Sequence, residues 1–284
     1  MEKTADTLTT DLAAVWTDDF FPADKYAIAF WFEWFMIAYG TIVCLAPAKF
    51  RVFLGFKTGW TETNPKVSMA VFDWFHQRSF LAMVTHGLCW ILFDSVGLKP
   101  TEVYALAGLP WIVISLHSLL NEIPKEMNTS IRPDAQILTM MLVLNFLLFI
   151  GSPHLLLIEK IVSTLTMIAG LQLYFAPALS ASVYKFPQHH AEQPIVVQHM
   201  KYYGIQLIVM TILGGTLVWQ VGEEDTDKEA SRAVVLNSLA VSWLVDVILY
   251  IPMLSSAKTT FTNMNHIYAW IVVTVAVASL LLTW

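Results

Sequence analysis

The chain alternates between long apolar stretches and short polar connections. Eight of the apolar stretches contain about 17 residues or more with few charges, which is the length that an α-helix needs to cross a lipid bilayer. This pattern predicts eight membrane-spanning helices, at residues 26–47, 74–95, 103–122, 135–151, 160–178, 202–221, 233–254 and 265–284. We therefore expect an all-α, polytopic membrane protein.

The composition supports lipid as the solvent of this chain. Hydrophobic residues make up 56% of the sequence and charged residues only 13%, whereas a soluble domain has about 25% charged residues. The first 25 residues are acidic and lack an apolar core with a small-residue cleavage site, so they do not predict a secretory signal peptide. We expect lipids and other membrane protein subunits as partners, and no nucleic acid.

Basic residues divide unevenly between the two sides that eight spans define. Ten of the 16 lysines and arginines fall on the side of the odd-numbered loops, and six on the side that holds both termini. Because Lys and Arg are enriched on the cytoplasmic side of membranes, we expect both termini on the non-cytoplasmic or lumenal side. An odd number of spans would undo this assignment.

The first and fifth predicted spans end in the same way. The stretch "GTIVCLAPAKFRVFLGF" at residues 40–56 matches "GLQLYFAPALSASVYKF" at residues 170–186, with Gly, Ala-Pro-Ala and Phe at a constant offset. Three further matches follow in the same order along the chain: Pro65 with Pro194, Trp90 with Trp219, and Ile123-Pro124 with Ile251-Pro252. Such self-similarity predicts two tandem four-helix units, at 26–153 and 154–284, which follow the acidic segment at 1–25. Units with an even number of spans would share one orientation.

The Ala-Pro pair has a local physical meaning. Proline lacks an N–H and clashes with a preceding carbonyl, so it ends or kinks a helix. In the first copy, the residues after Pro47 interleave phenylalanines with Lys49, Arg51 and Lys57. This mixture predicts either an interfacial amphipathic segment or an ordinary loop with aromatic anchors.

These features resemble those of DoxX-like small four-helix membrane proteins. The resemblance rests on a first helix with a Pro-marked end, an "LGF" segment and a following helix, "FHQRSFLAMVTHGLCWIL", that opens with Arg78. It covers mainly residues 36–92, and more weakly residues 167–219, where no arginine matches Arg78. The resemblance implies a four-helix bundle occurring twice and little about chemistry.

Ionisable residues inside spans are costly and are therefore candidates for function. His117 and Asp246 occupy nearly equivalent positions of the two units, which allows a contact between them that could orient a proton relay, a ligand site or a metal ligand. The alternative is that Asp246 bonds a neighbouring Ser or Trp, and that His117 is a satisfied interior histidine. The candidates for transport or a relay are Asp246, His117, Glu33 and Arg78.

A bound cofactor would need side-chain ligands within the spans. Glu33, His86, His117 and Asn145 could each hold the magnesium of a chlorophyll-type pigment, although the Glu-x-x-His-x-Arg pattern of light-harvesting helices is absent from the sequence. Lipid is the other apolar group that the many aromatic residues could line. A haem bridging His86 and His117 would need both at one depth, and their positions along the two spans differ by roughly 9 Å.

Catalytic signatures are absent from the sequence. It contains no GxSxG, HExxH, GxxxxGK[ST] or GxGxxG before a helix. His189, His190 and Glu192 share one loop, with His199 nearby, but adjacent loop histidines are usually solvated, so we predict no metal site.

The leading hypothesis is a non-enzymatic accessory or scaffold subunit of a larger membrane complex, which contacts lipids or an apolar cofactor. One alternative is a carrier or channel for a small solute or a proton, with Asp246, His117 and Glu33 along the path. A third hypothesis is a membrane-embedded enzyme that modifies lipids, with His117 and Asp246 as acid and base.

Overall fold

A computed structural model describes residues 24–56, 65–120, 152–184, 186–222 and 228–282, together with residues 143, 144, 147 and 150. Most of the acidic segment 1–25, most of the predicted span 135–151, and Asn145 lie outside the described residues. The described chain is helical apart from turns and one isolated antiparallel bridge between Phe56 and Phe261. In chain order the helices are α1 (Lys25–Leu45), α2 (Pro47–Phe53), α3 (Pro65–Asp94), α4 (Pro100–Leu120), α5 (Leu155–Phe175), α6 (Pro177–Val183), α7 (Gln188–Ala191), α8 (Pro194–Thr216), α9 (Lys228–Tyr250), α10 (Leu254–Thr260) and α11 (Asn265–Leu282). A π-helical turn, Leu217–Val221, extends α8, and a 3₁₀ turn, Ile251–Met253, joins α9 to α10.

The all-α class predicted from the sequence is confirmed for the described residues, and their helices are consistent with an integral membrane protein. Five described segments are long and apolar enough to cross a bilayer, and they contain α1, α5, α8 with its π-helical turn, α9 with α10, and α11. The predicted span 103–122 corresponds to α4, of which a shorter part, Pro100–Ile114, is apolar. The predicted span 74–95 overlaps α3, whose 30 residues include polar side chains that lower its hydropathy and keep it outside this group. The count of eight spans stays a prediction.

Two helices form the centre of the molecule. α3 and α8 pack against each other; α3 also packs against α1 and α4, and α8 against α5 and α9. α11 packs against α9 and reaches α1. Because α3 and α8 are enclosed by the other helices, their side chains supply much of the buried interior.

Both Ala-Pro pairs end a helix and start a short one. Ala46 has φ −135° and ψ 52°, and Ala176 has φ −132° and ψ 59°. Each alanine lies outside the α conformation because the following proline disfavours that conformation for the residue before it. Pro47 and Pro177 then occupy the first position of α2 and α6, where a missing N–H costs no hydrogen bond.

The residues that follow α2 are hydrogen-bonded to the residues that follow α10. The N–H of Thr262 donates to the carbonyl of Gly55 over 2.7 Å, beside the bridge between Phe56 and Phe261. Gly55 has φ +71°, and a Cβ there would lie 2.5 Å from Thr262 Oγ1. The turn therefore needs glycine both for its backbone conformation and for space.

Candidate functional site

A buried polar network joins α1, α3 and α9. Glu33 Oε2 lies 3.3 Å from His86 Nδ1, and His86 Nε2 lies 2.8 Å from Ser242 Oγ. The indole N–H of Trp243 donates to Glu33 Oε1 over 2.8 Å. All four side chains are buried, so this network satisfies polar groups that would otherwise carry a desolvation cost.

The network requires a proton between Glu33 and His86. The hydroxyl of Ser242 donates to the Leu239 carbonyl over 2.7 Å, so its oxygen accepts from His86 Nε2–H. His86 Nδ1 then either carries a second proton and faces a carboxylate, or accepts a proton from a neutral Glu33. In both arrangements one proton is held between α1 and α3.

The second buried carboxylate bonds to an amide and an indole. Asp246 Oδ1 accepts from Gln206 Nε2 over 2.8 Å, and Oδ2 accepts from Trp270 Nε1 over 3.2 Å. These bonds join α9 to α8 and α11. The sequence alternative in which Asp246 bonds a tryptophan therefore describes the structure. The second partner, Gln206, was not predicted, because no sequence pattern links positions 206 and 246.

The other predicted site residues lie apart from these carboxylates. His117 is exposed near the end of α4, whereas the two carboxylate oxygens of Asp246 bond to Gln206 on α8 and Trp270 on α11. Arg78 lies in the middle of α3 rather than at its start, because the helix begins at Pro65. The guanidinium of Arg78 lies 3.9 Å from the centre of the Trp74 ring, and its Nη1 donates to the Trp74 carbonyl.

The loop histidines have separate partners. His190 Nδ1 lies 2.9 Å from Ser68 Oγ, and Glu192 accepts from Gln188 Nε2 over 2.7 Å. Within the described residues, no three His, Cys, Asp or Glu side chains are arranged to hold a metal ion. Holding the magnesium of a pigment on His86 would displace Glu33 or Ser242, because both ring nitrogens are in use.

A histidine pair that the sequence analysis missed lies between α3 and α8. His76 Nδ1 is 2.9 Å from His199 Nε2, and both residues are buried. The remaining ring nitrogens, His76 Nε2 and His199 Nδ1, have no hydrogen-bond partner among the described residues. The available signal was the interruption of apolar sequence by His76, Gln198 and His199, but no motif connects positions 123 residues apart.

The histidine pair lines a cavity of about 340 Å³. Nine of its 18 lining residues are aromatic: Phe35, Tyr39, Phe53, Phe56, Phe80, Tyr202, Tyr250, Phe261 and Trp270. Leu54, Met83, Ile267, Ala269 and Val273 add aliphatic surface, and Gln198 and His266 complete the lining with the histidine pair. None of the described lining residues is Asp, Glu, Lys or Arg.

The cavity reaches the outer surface of the helices. Phe35 on α1, Phe53 on α2 and Val273 on α11 line it and are 53%, 78% and 47% exposed. These exposed apolar side chains favour contact with lipid or a neighbouring protein over water. An apolar molecule could therefore reach the cavity from this outer surface.

Comparison with known proteins gives no family assignment. No protein-family model matches the chain, and no curated protein or solved structure shows significant similarity to it.

Proposed function

We propose that this chain is a non-enzymatic accessory or scaffold subunit of a larger membrane complex, and that it holds an apolar ligand of the lipid class. The observation that carries the proposal is the aromatic cavity with two buried histidines at its wall. Binding sites for small molecules are concave and mostly apolar, with a few polar groups that fix orientation. The cavity combines these features in one place.

The size and walls of the cavity define the part of a ligand that fits. Its volume lies near the lower end of the roughly 300–1,000 Å³ that ligand pockets span. Aromatic walls bury large apolar areas and pack well against flat rings or chains. One alkyl or isoprenoid chain segment suits this space better than an entire two-chain phospholipid.

Filling the cavity tests the proposal. Ala269 lines the cavity on α11 and is exposed, whereas Ala276 is exposed two turns later and is not a lining residue. The protein is purified in mild detergent, and bound lipids are extracted and quantified by mass spectrometry against protein concentration. We expect Ala269→Trp to lower the bound ligand at least several-fold, and Ala276→Trp to leave it unchanged. Wild-type protein that is folded and carries no stoichiometric lipid or pigment would overturn the proposal.

The scaffold part of the proposal is supported by large apolar residues on the outer helices. Trp31, Leu45, Phe175 and Val272 are 66–81% exposed, and lipid or another membrane subunit would cover them. Pull-down from native membranes after mild solubilisation tests for subunits. A chain that is recovered only as a free monomer would count against this part.

The architecture that we propose has eight spans in two tandem four-helix units, as the DoxX-like resemblance implies. The matching geometry at Ala46 and Ala176 supports it. Further support comes from two packings of similar form, α1 on α3 and α5 on α8, around the central contact between α3 and α8. Both termini lie on the non-cytoplasmic side in this arrangement. Epitope tags at the two termini test this orientation, and both should be accessible to antibody from outside intact cells. Tags that are both inaccessible from outside, or that are accessible from opposite sides of the membrane, would contradict the orientation.

A further inference from the structure

We propose that the cavity holds one acyl chain of an anionic phospholipid, and that Lys49 on α2 binds the phosphate of its head group at the membrane surface. The inference rests on the proposed function, because it names the class of lipid that occupies the same cavity. It depends on three observations: the uncharged lining of the cavity, the place of Lys49 beside its opening, and the mixed apolar and basic surface of α2.

The wall of the cavity suits a chain and disfavours a charged head group. None of the described lining residues is Asp, Glu, Lys or Arg, and an ion left without a partner among aromatic rings would carry a large desolvation cost. An anionic lipid can therefore place a chain in the cavity only while its phosphate stays outside. The second chain of the lipid would remain in the surrounding bilayer.

Lys49 lies beside the opening of the cavity. It precedes Phe53 by one helical turn on α2, and Phe53 lines the cavity while being 78% exposed. Positions i and i+4 of a helix are neighbours, about 5–6 Å apart between their Cβ atoms. Lys49 is also exposed, and it forms no ion pair among the described residues. Its ammonium group is therefore available to an anion at this opening.

The other cation of α2 has a partner on the protein. Arg51 donates to the Asp73 carboxylate on α3, and its guanidinium lies 5.7 Å from the centre of the Phe72 ring. These contacts hold α2 against α3 and leave Lys49 on the outside. Val52, which is 80% exposed, lies on the outside as well. Apolar and basic side chains together are typical of a helix in the membrane interface.

The proposed orientation places this opening next to anionic lipids. With both termini on the non-cytoplasmic side, α2 follows the first span and lies on the cytoplasmic side. The cytoplasmic leaflet contains anionic lipids, whose surface potential attracts basic segments. A lipid of this leaflet offers a phosphate to Lys49 and a chain to the cavity at the same time, whereas a free phosphate ion would use Lys49 alone.

Competition between two lipids with identical chains tests the head group. The wild-type protein in mild detergent is incubated with equal amounts of dioleoyl phosphatidylglycerol and dioleoyl phosphatidylcholine and is purified again. The retained lipids are then extracted and quantified by mass spectrometry. Because one lysine near an anionic surface changes affinity by about fivefold, we expect about five times more phosphatidylglycerol than phosphatidylcholine. This preference should weaken when the salt concentration is raised.

Variants identify the group that makes the difference. Lys49→Gln should lower phosphatidylglycerol to the level of phosphatidylcholine, and phosphatidylcholine should be unchanged because the chain still enters the cavity. Lys66→Gln should retain the preference. It changes an exposed lysine at the start of α3, about 15 Å along the helix from the cavity-lining His76. Ala269→Trp should lower both lipids, because it fills the space that the chain occupies.

The outcomes separate this inference from the proposed function. Equal retention of the two lipids by the wild type would overturn the inference, and so would a preference that survives Lys49→Gln or is lost equally in Lys66→Gln. The proposed function would stand in these cases if Ala269→Trp still lowered both lipids. If the folded wild type retains neither lipid and carries none from its native membrane, both proposals fail.

Discussion

Glu33 and His86 are buried together, with Oε2 3.3 Å from Nδ1, and they join α1 to the central helix α3. The other oxygen of Glu33 and the other nitrogen of His86 are also bonded, to Trp243 and Ser242 on α9. A transport path needs groups that can exchange partners with a solute. Both oxygens of Glu33 and both ring nitrogens of His86 already have hydrogen-bond partners within the protein. This favours a structural role, in which the network fixes the relative positions of three helices.

Removing the Glu33 carboxylate should destabilise the protein strongly. Glu33→Leu leaves His86 Nδ1 and the indole N–H of Trp243 without this partner, so we expect a loss of about 2–5 kcal/mol in the free energy of unfolding. Glu33→Gln can accept from Trp243 and donate to His86, so its loss should be smaller, about 1 kcal/mol. Unfolding in detergent, followed by circular dichroism, measures both.

Glu192→Gln is the control for the two Glu33 variants, because it changes an exposed glutamate in the segment after α7. Its effect should stay within about 0.5 kcal/mol. Equal stability of Glu33→Leu and the wild type would show that the network does not hold the helices together.

The substitution Asp246→Asn, although small, should lower the stability of the protein. Its two oxygens both accept, from Gln206 and Trp270, whereas an asparagine would present an NH₂ group to one of these donors. We expect a loss of about 1–3 kcal/mol in the free energy of unfolding, together with a changed emission of Trp270.

Asp24→Asn is the matched control for Asp246. Asp24 caps α1 by accepting from the N–H of Tyr26 over 2.9 Å, and asparagine caps helices about equally well. It should therefore change stability little. If Asp246→Asn were as stable as this control, the two hydrogen bonds could not be important for the fold.

The sequence predicted the helical membrane class and several helix ends because these depend on local properties. Apolar length determined the spans, and the prolines at positions 47 and 177 determined where α1 and α5 end. The extent of α3 was not predictable in this way, because its first turns carry polar residues and are helical through packing against α8 and the rest of the interior.

The sites depend on contacts between distant residues, which a single sequence does not contain. Glu33 and His86 were each identified as candidates, but nothing in the sequence pairs them across 53 positions. The alternative of a contact between His117 and Asp246 assumed similar depth in equivalent helices. In the structure, α4 exposes His117, while α9 turns Asp246 toward α8 and α11.

The contact between α5 and α8 should be sensitive to a single methyl group. A Cβ at Gly204 would lie 2.7 Å from the Gly170 carbonyl oxygen and 2.8 Å from the Tyr174 nitrogen, both of which are backbone atoms. Gly204→Ala must therefore separate the helices, at a cost of about 1–3 kcal/mol in the free energy of unfolding. Gly215→Ala is the control, because its nearest contact is Ser163 Oγ at 3.4 Å. A melting temperature for Gly204→Ala equal to that of Gly215→Ala would contradict the close packing.

Arg232 on α9 contacts residues of two other helices, α1 and α3. Arg232 on α9 donates to both oxygens of Asp94 over 2.6 and 3.4 Å, and its guanidinium lies 3.8 Å from the centre of the Tyr26 ring on α1. Lysine keeps the charge but cannot bind two oxygens in a planar fork or stack in the same way.

We expect Arg232→Lys to lower the free energy of unfolding by about 1–2 kcal/mol. Glu229→Gln, which changes a side chain that is 68% exposed and contacts the same arginine, should cost less than about 0.5 kcal/mol. Because Asp94 is only 7% exposed, its pairing with Arg232 should be screened little, and the difference between the two variants should persist in 1 M salt. Melting curves at low and high salt measure this difference. Its disappearance in high salt would show that long-range attraction between charges, rather than the bidentate and stacked geometry, stabilises this end of the molecule.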